Sequence, residues 1–253
     1  MTNQESAKKV IEEFKKLTEK ECYEIEVMEG IPDILDDKLG GFPYLPEGEE
    51  YPSDENGKKL ALLLQINLNK IDLKNFPKKG VLEIFTDAEN NYPPKYLIKY
   101  FEEGKKYQII FPEIDTTQHI ISKQKKISFK KSTDYMLPSD YRYNENLIKA
   151  VENITGEKYD NIYEIEQKFN FEFEELLIKQ IKNIPASIGG YPDFTQEDPR
   201  PKLNGKDECL FKLDSNFCDD INIGDSGILF VFISEESLKN CKFEDAVVDW
   251  DSA

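Results

Sequence analysis

The chain contains two related copies of one stretch of sequence. The motif GGFP at residues 40–43 returns as GGYP at residues 189–192, a shift of 149 residues. Farther along, residues 62–86 align without a gap onto residues 209–233, and seven of these 25 pairs are identical. Average composition would give about one or two identities by chance. The order of a Gly-Gly-aromatic-Pro turn, an apolar strand, a glycine and a second apolar strand therefore occurs twice.

This repetition predicts the fold class and the domain organisation. We expect an internally duplicated α+β protein, in which mainly antiparallel sheets with flanking helices form two halves that share a core. The expected boundaries are about 22–135 for the first half, 136–185 for a helical connection and 186–253 for the second half. A length of 253 residues is enough to bury one large core, so we expect a single globular unit.

The spacing of apolar residues predicts the individual elements. Helices are predicted from about Ser6 to Leu17, from Ser139 or Asp140 to Asn153, and from Ile162 to Ile184 with room for a break near Asn170. The predicted strands are 23–27, 60–68, 81–85, 96–101, 107–111, 126–129, 208–214, 227–233 and 246–250. A short capped helix is predicted at 234–238, and the stretch 36–58, rich in glycine and proline, is predicted to be a long loop.

The charge balance restricts the partners. The chain has 33 basic and 50 acidic residues, which gives a net charge of −17. Such a field repels nucleic acid and anionic membranes and speeds the encounter with basic proteins. We therefore expect neither a nucleic-acid nor a membrane partner. One segment, 116–133, carries five lysines and no acid, and its alternation predicts an exposed strand that is guarded against edge pairing.

Cytoplasmic location is the expectation for this chain. No signal peptide is recognisable, and the longest apolar run, 60–64, is far shorter than the ~20 residues that a membrane span needs. The four cysteines show no CxxC spacing, so we expect buried or partly buried free thiols rather than a disulfide framework.

The sequence reveals no catalytic site. The only histidine, His119, is predicted to lie in a polar strand without a serine, cysteine or zinc-ligand partner, and no GxSxG or HExxH motif occurs. The stretch 214–225 fits a calcium loop only in its first positions, so a solvated acidic turn is the favoured interpretation. Asp198-Pro199-Arg200 directs a cation toward an acidic surface or simply forms a turn. We assign no catalytic residue, no metal ligand and no cofactor.

A cleft between the two halves is the natural place for a ligand. The paired turns are candidates because glycine permits close approach of a ligand, although they could instead dock an aromatic side chain into the core. The polar ends of two apolar strands are candidates for the floor of the cleft, although they could instead hydrogen-bond neighbouring loops. The candidates are Gly41, Phe42, Pro43, Gln65 and Asn67 from the first half and Gly190, Tyr191, Pro192, Lys212 and Asp214 from the second.

Several motifs together resemble the YwqG-like family of bacterial proteins. They are LGGFPYLP at 39–46, LLLQINL at 62–68, GVLEIF at 80–85, GGYP at 189–192, LFKLDS at 210–215 and GDSG at 224–227. The resemblance extends over nearly the whole chain and implies an α+β fold and cytoplasmic character. It implies no catalytic residues, because the biochemical function of that family is uncharacterised. Members of the family occur near polymorphic-toxin genes, which implies an immunity role.

We therefore expect a non-enzymatic binding protein, specifically an acidic immunity-type protein that masks a basic toxin or another cationic partner. The alternative is an enzyme or a small-molecule binder that uses the cleft between the two halves. A purely structural or scaffolding role is the third interpretation.

Overall fold

The computed structural model describes residues 3–89, 91–169 and 172–252. Its strands are β1 (Lys20–Met28), β2 (Lys38–Leu39), β3 (Leu45–Pro46), β4 (Ala61–Asn67), β5 (Val81–Thr86), β6 (Tyr96–Phe101), β7 (Tyr107–Gln108), β8 (Lys125–Asp134), β9 (Ala186–Gly189), β10 (Glu208–Asp214), β11 (Ile228–Ile233) and β12 (Val247–Asp251). Its α-helices are α1 (Asn3–Thr18), α2 (Tyr143–Thr155), α3 (Ile162–Lys168), α4 (Phe173–Ile178) and α5 (Glu235–Lys239).

One large antiparallel sheet dominates the fold. It contains ten strands in the order β12-β11-β10-β9-β1-β8-β2-β4-β5-β6, while β3 and β7 pair separately. Strand β4 is buried from Ala61 to Ile66, as expected of an unbroken apolar run that is covered on both faces. The α+β class and the predominance of antiparallel pairing are therefore confirmed.

The long strands β1 and β8 form the centre of the sheet, in register from Lys20↔Asp134 to Met28↔Lys126. Strand β8 also pairs with β2 at Lys125 and Lys126, so it lies inside the sheet. The edge position that its lysines had suggested is therefore wrong. Alternating lysines indicate which face of a strand is exposed, but they do not indicate its position in the sheet. Three lysines of β8 pair with carboxylates, Lys125 with Asp220 at 2.7 Å, Lys126 with Asp36 at 2.8 Å and Lys131 with Glu21 at 2.6 Å.

A group of four strands lies on each side of this centre, β2-β4-β5-β6 beside β8 and β9-β10-β11-β12 beside β1. The pairing of β4 with β5 and that of β10 with β11 have the same register after a shift of 147 residues. Gln65↔Glu83, for example, corresponds to Lys212↔Phe230. Each pair also has an irregularity at the corresponding place, between residues 62 and 64 and between residues 209 and 211. The two groups therefore share one local pattern of strand pairing.

The two groups share one apolar core. Leu64 and Ile84 of the first group belong to the same buried cluster as Phe211 and Val231 of the second. The outer strands β6 and β12 also approach each other. Tyr92, just before β6, stacks on Trp250 of β12 with ring centroids 5.6 Å apart. The sheet is therefore nearly closed and barrel-like, and the inward faces of its strands meet in a single interior.

Helices α1 to α4 build a second apolar cluster, to which Met136 and Tyr191 contribute. Helix α1 begins three residues before the predicted cap Ser6, and α2 begins only at Tyr143. The long predicted helix is instead two short ones, α3 and α4. The predicted break at Asn170 lies outside the described residues. No helix among those described is long and apolar enough to cross a bilayer, and all four cysteines are free thiols, as expected.

Candidate functional site

The two Gly-Gly-aromatic-Pro turns lie at opposite ends of β8. A Cβ atom added at Gly41 would clash with Oε1 of Gln124, which immediately precedes β8. One added at Gly190 would lie 2.7 Å from Oδ2 of Asp134, the last residue of β8. A strand of ten residues spans roughly 30 Å. Gly41, Phe42 and Pro43 therefore do not meet Gly190, Tyr191 and Pro192 in one cleft.

The turn of the second set is built into the core. Gly190, Tyr191 and Pro192 are buried, and the Tyr191 N–H donates a hydrogen bond of 2.8 Å to Asp134 Oδ2. The Tyr191 ring packs into the helical cluster. This arrangement favours the structural alternative, a turn that docks an aromatic side chain.

The strand-end residues of the second set also have local roles. Asp214 Oδ1 accepts hydrogen bonds from the backbone and side-chain nitrogens of Asn216, at 2.7 and 2.9 Å. The Lys212 side chain is buried, and its ammonium group forms no hydrogen bond to any described residue. The charge of Lys212 acts on Asp193. Burial raises the pKa of Asp193 above its usual value, and the Lys212 charge offsets only part of this rise. Neither side chain forms the floor of a cleft shared with the first set.

The first set is only partly buried. Pro43 and Gln65 are buried and Asn67 is half-buried, but Phe42 is 42% exposed. The Phe42 ring packs edge to face on Phe111, with centroids 4.8 Å apart, and Phe111 is itself 69% exposed. This turn therefore presents its aromatic residue to solvent, whereas the second turn buries it.

Buried polar groups fasten the segment that precedes this turn. The Gln65 Nε2 atom donates to the carbonyl oxygens of Ile34 and Asp36, at 2.8 and 2.9 Å. The Lys38 ammonium donates to the carbonyls of Asp33 and Ile34, at 3.0 and 2.9 Å. These bonds satisfy the backbone oxygens of Ile34 and Asp36, and they add to the hydrogen bond of 3.2 Å that the Asp33 oxygen accepts from the Asp36 N–H. They hold segment 33–37 in place, so the side chains that it presents outward keep fixed positions.

Glu83 is fully buried beside this segment. Its Oε1 atom accepts a hydrogen bond of 2.7 Å from the Tyr44 N–H, while its Oε2 atom has no partner among the described residues. Burial raises the pKa of the Glu83 carboxyl well above its usual value, against the opposing effects of the Tyr44 hydrogen bond and the Lys38 charge. Burial also lowers the pKa of Lys38 to about 8. The sequence signal for Glu83 is an acidic residue inside an apolar strand.

Glu83→Gln is expected to stabilise the protein at neutral pH and to have little effect near pH 4. Because the pKa of Glu83 is raised in the folded state, wild-type stability falls as pH rises from the unfolded-state pKa toward the folded one. Each pH unit by which the folded-state pKa exceeds the unfolded-state pKa lowers the free energy of unfolding at neutral pH by about 1.4 kcal/mol. Glutamine carries no charge and removes this cost. Urea unfolding across this pH range measures the effect. Glu236→Gln, an exposed change on α5, is the control, and parallel pH profiles for all three proteins would contradict the prediction.

A pocket of about 330 Å³ opens between Phe42, β4 and segment 112–124. His119 lines it and lies in a turn, not in the predicted strand. Its Nε2 atom is 2.9 Å from Thr86 Oγ1, and the Ile121 N–H donates to its Nδ1 atom at 3.2 Å. Burial lowers the pKa of the imidazole. His119 is therefore a neutral link between this turn and β5, and both of its nitrogens are engaged.

A large surface around Phe42 combines apolar side chains with carboxylates. Thirteen large apolar side chains of the described residues are exposed, and eight of them lie in segments 27–42 and 107–111. They are Val27, Met28, Ile31, Leu35, Phe42, Tyr107, Ile109 and Phe111. Between residues 26 and 57 the chain carries ten acidic residues and one basic residue, the buried Lys38. We call these eight side chains and the carboxylates of segment 26–57, except that of the buried Asp37, the apolar–acidic face.

Residues 37–252 match the family model of a domain of unknown function, DUF1963. The chain belongs to the DUF1963 family. No curated protein matched it in a sequence comparison. The DUF1963 match includes both four-strand groups and most of the apolar–acidic face, but α1 and the central strand β1 precede it. Among the residues described for this DUF1963 chain, no group of three histidine, cysteine or carboxylate side chains could hold a metal ion.

Proposed function

We propose that this DUF1963 protein is a non-enzymatic binding protein whose apolar–acidic face binds a cationic protein. The observation that carries the proposal is the exposed contact between Phe42 and Phe111 within that face. Soluble proteins rarely leave large contiguous apolar patches uncovered, and such patches commonly mark interaction surfaces. Asp33 lines the same depression of about 200 Å³ as Phe42, Ile109 and Phe111, so charge and apolar area adjoin there.

The two components of the face have different roles in this proposal. The carboxylates of segment 26–57 and the net charge of −17 attract a basic partner over a distance and speed its association. The aromatic side chains lose their water only on contact, and they supply most of the affinity at short range. A partner that fits both components carries lysine or arginine residues around an apolar centre.

We extend the proposal to the biological setting. The YwqG-like resemblance implies an immunity role, and an acidic face that covers a basic toxin is the form of binding that such a role requires. In this proposal the protein acts in the cytoplasm and has neither nucleic acid nor membranes as partners. The long loop predicted at 36–58 is then functional because it carries Phe42 and many of the carboxylates.

We also propose that the fold arose by duplication, with halves at about 22–135 and 186–253 that are joined by the helical connection at 136–185. The matching registers of β4–β5 and β10–β11 support this origin. In this proposal the two turns diverged after the duplication. Phe42 is exposed, whereas its counterpart Tyr191 is buried against the helices that connect the halves.

A synthetic amphipathic peptide of lysine, leucine and tryptophan tests the proposal. We expect calorimetric titration to detect binding at low salt that weakens at high salt, because screening removes the attraction of the carboxylates. Phe111→Ala should weaken binding about tenfold, which corresponds to roughly 1.4 kcal/mol of lost apolar contact. The matched control is Ile178→Ala, which truncates an exposed apolar side chain on α4.

The same peptide with glutamate in place of lysine separates charge from apolar attraction. It should not bind, since the face repels it. Equal binding of the two peptides, or equal losses for Phe111→Ala and Ile178→Ala, would show that the apolar–acidic face is not the binding surface.

A further inference from the structure

The pocket beside Phe42 differs from the rest of the molecule in having no charged residue in its lining. None of its twelve lining residues is an aspartate, glutamate, lysine or arginine, although 33% of the chain is charged. A second pocket of the same volume, about 330 Å³, lies beside Gly189. Six of its ten lining residues are charged, namely Glu19, Lys20, Glu21, Lys74, Glu208 and Glu235. We call the first of these cavities the neutral pocket.

The titratable groups of the neutral pocket also carry no charge at neutral pH. Burial lowers the pKa of His119, and both of its ring nitrogens are already hydrogen-bonded. Burial raises the pKa of the Tyr51 phenol, so its hydroxyl keeps its proton and can both donate and accept a hydrogen bond. None of the twelve lining residues offers a charged ligand an ion-pair partner, so the lining favours an uncharged one. The pocket therefore selects against charge of either sign.

Two side chains of the lining have unused hydrogen-bonding capacity. The Tyr51 side chain is buried, and its hydroxyl forms no hydrogen bond to any described residue. The Gln124 amide, which can both donate and accept, is likewise without a hydrogen bond in the described part of the chain. Phe42, Pro112 and Leu62 add flat or apolar walls. The lining thus combines apolar surface with a few neutral polar groups, the composition that is typical of small-molecule sites.

We propose that the neutral pocket binds an uncharged aromatic small molecule of one or two rings with a hydrogen-bonding substituent such as a carboxamide. The rings pack on Phe42, Leu62 and Pro112, and the substituent bonds to Tyr51 and Gln124. A volume of about 330 Å³ is at the lower end of the range for ligand pockets, which restricts the ligand to this size. This site shares Phe42 and Gln124 with the depression beside Asp33, but it goes beyond the proposed protein-binding function because it takes an uncharged small molecule and adds Tyr51 as a polar contact.

Benzamide and benzoate form the decisive pair of probes, because they have the same shape and differ in charge. We expect benzamide to bind with a dissociation constant of roughly 1 mM in a ligand-detected NMR titration, and benzoate at least tenfold more weakly. Tyr51→Phe should weaken benzamide binding about threefold to tenfold, as expected for the loss of one hydrogen bond. Gln124→Ala should have a similar effect, and Tyr107→Phe, the same change outside this pocket, should have none.

Tyr51→Phe and Gln124→Ala should both fold, because neither removes an internal hydrogen bond of the described structure. Tyr51→Phe should be about as stable as wild type, since the hydroxyl that it deletes forms no hydrogen bond to any described residue. It should also leave binding of the lysine-rich peptide unchanged, which separates this site from the apolar–acidic face. Equal affinities for benzamide and benzoate, no benzamide binding at several times ~1 mM, or unaltered binding to Tyr51→Phe and Gln124→Ala would overturn the proposal.

Discussion

Replacing Arg200 with methionine is expected to lower the free energy of unfolding by about 3–5 kcal/mol, because buried carboxylates then lose their cation. The Arg200 side chain is 1% exposed, and its Nη2 atom contacts Asp140 at 2.7 Å and Asp198 at 2.5 Å. The two carboxylate side chains are 0% and 4% exposed. For a chain of this size we expect the melting temperature to fall by on the order of 10 °C. Urea unfolding and a thermal melt at neutral pH measure the loss.

The control for this prediction is Arg142→Met. Arg142 binds the same carboxylate, with its Nη2 atom 2.8 Å from Asp140, but its side chain is 29% exposed. Asp140 keeps the buried Arg200 in this variant, so its charge remains compensated. We expect a clearly smaller loss of stability. If the two substitutions cost the same, burial of Arg200 is not the source of its effect.

The deficit of Arg200→Met is expected to shrink in acid. Burial pushes the pKa of Asp140 up, but hydrogen bonds from Arg142 and the charge of Arg200 outweigh it and hold that pKa below its usual value. A lowered pKa contributes stability that is present above the unfolded-state pKa and is lost as pH falls through the folded one. The free energies of unfolding of wild type and variant should therefore differ most near pH 7 and least at about pH 3. A deficit that is constant over this range would contradict the charge argument.

Gly190→Ala is expected to cost about 2–4 kcal/mol, and Gly48→Ala only about 1 kcal/mol. The two glycines have similar φ angles, +84° and +89°, so the strain of a left-handed alanine is common to both. A Cβ atom at Gly190 would lie 2.7 Å from Oδ2 of Asp134, whereas nothing lies within 4 Å of one at Gly48. The alanine therefore displaces the carboxylate that accepts the buried Tyr191 N–H.

Urea unfolding of the two glycine variants measures this difference directly. Because the backbone strain cancels in the comparison, the excess cost of Gly190→Ala reports the close approach alone. Equal costs would mean that Asp134 moves aside without losing its hydrogen bond. The comparison thus distinguishes a turn that is fixed by its surroundings from one that merely needs a flexible residue.

The strands could be predicted because their signals are local. The apolar runs of β4 and its counterpart β10 predict buried strands without knowledge of the rest of the fold. Repetition of the sequence also predicts that the two strands pair with their neighbours in the same register. Helix α5 followed equally from its cap, since the Ser234 hydroxyl accepts a hydrogen bond from the Ser237 N–H at 3.0 Å. Short-range chemistry determines these elements.

The position of one turn relative to the other could not be predicted. The similarity of two sequence segments predicts how each segment folds. It does not predict the distance at which the intervening strands hold the two segments apart. The spacing between Gly41 and Gly190 is set by the length of β8, which pairs with β1 from a distant part of the sequence. Arg200 illustrates the same limit, since the alternatives for Asp198-Pro199-Arg200 did not include a buried cation that binds Asp140 from across the fold.

The central pair of strands has a consequence for biosynthesis. Each hairpin of the first group, such as β4–β5, joins neighbours in sequence and can form soon after it leaves the ribosome. Strand β1 emerges earlier, but its partner β8 follows about a hundred residues later and β9 later still. The apolar side of β1 therefore stays uncovered while the chain between β1 and β8 is synthesised. Because β1 pairs with strands that are distant in sequence, we expect this pairing to be the slow step of folding. Productive folding of the whole molecule depends on shielding one early strand until synthesis is nearly complete.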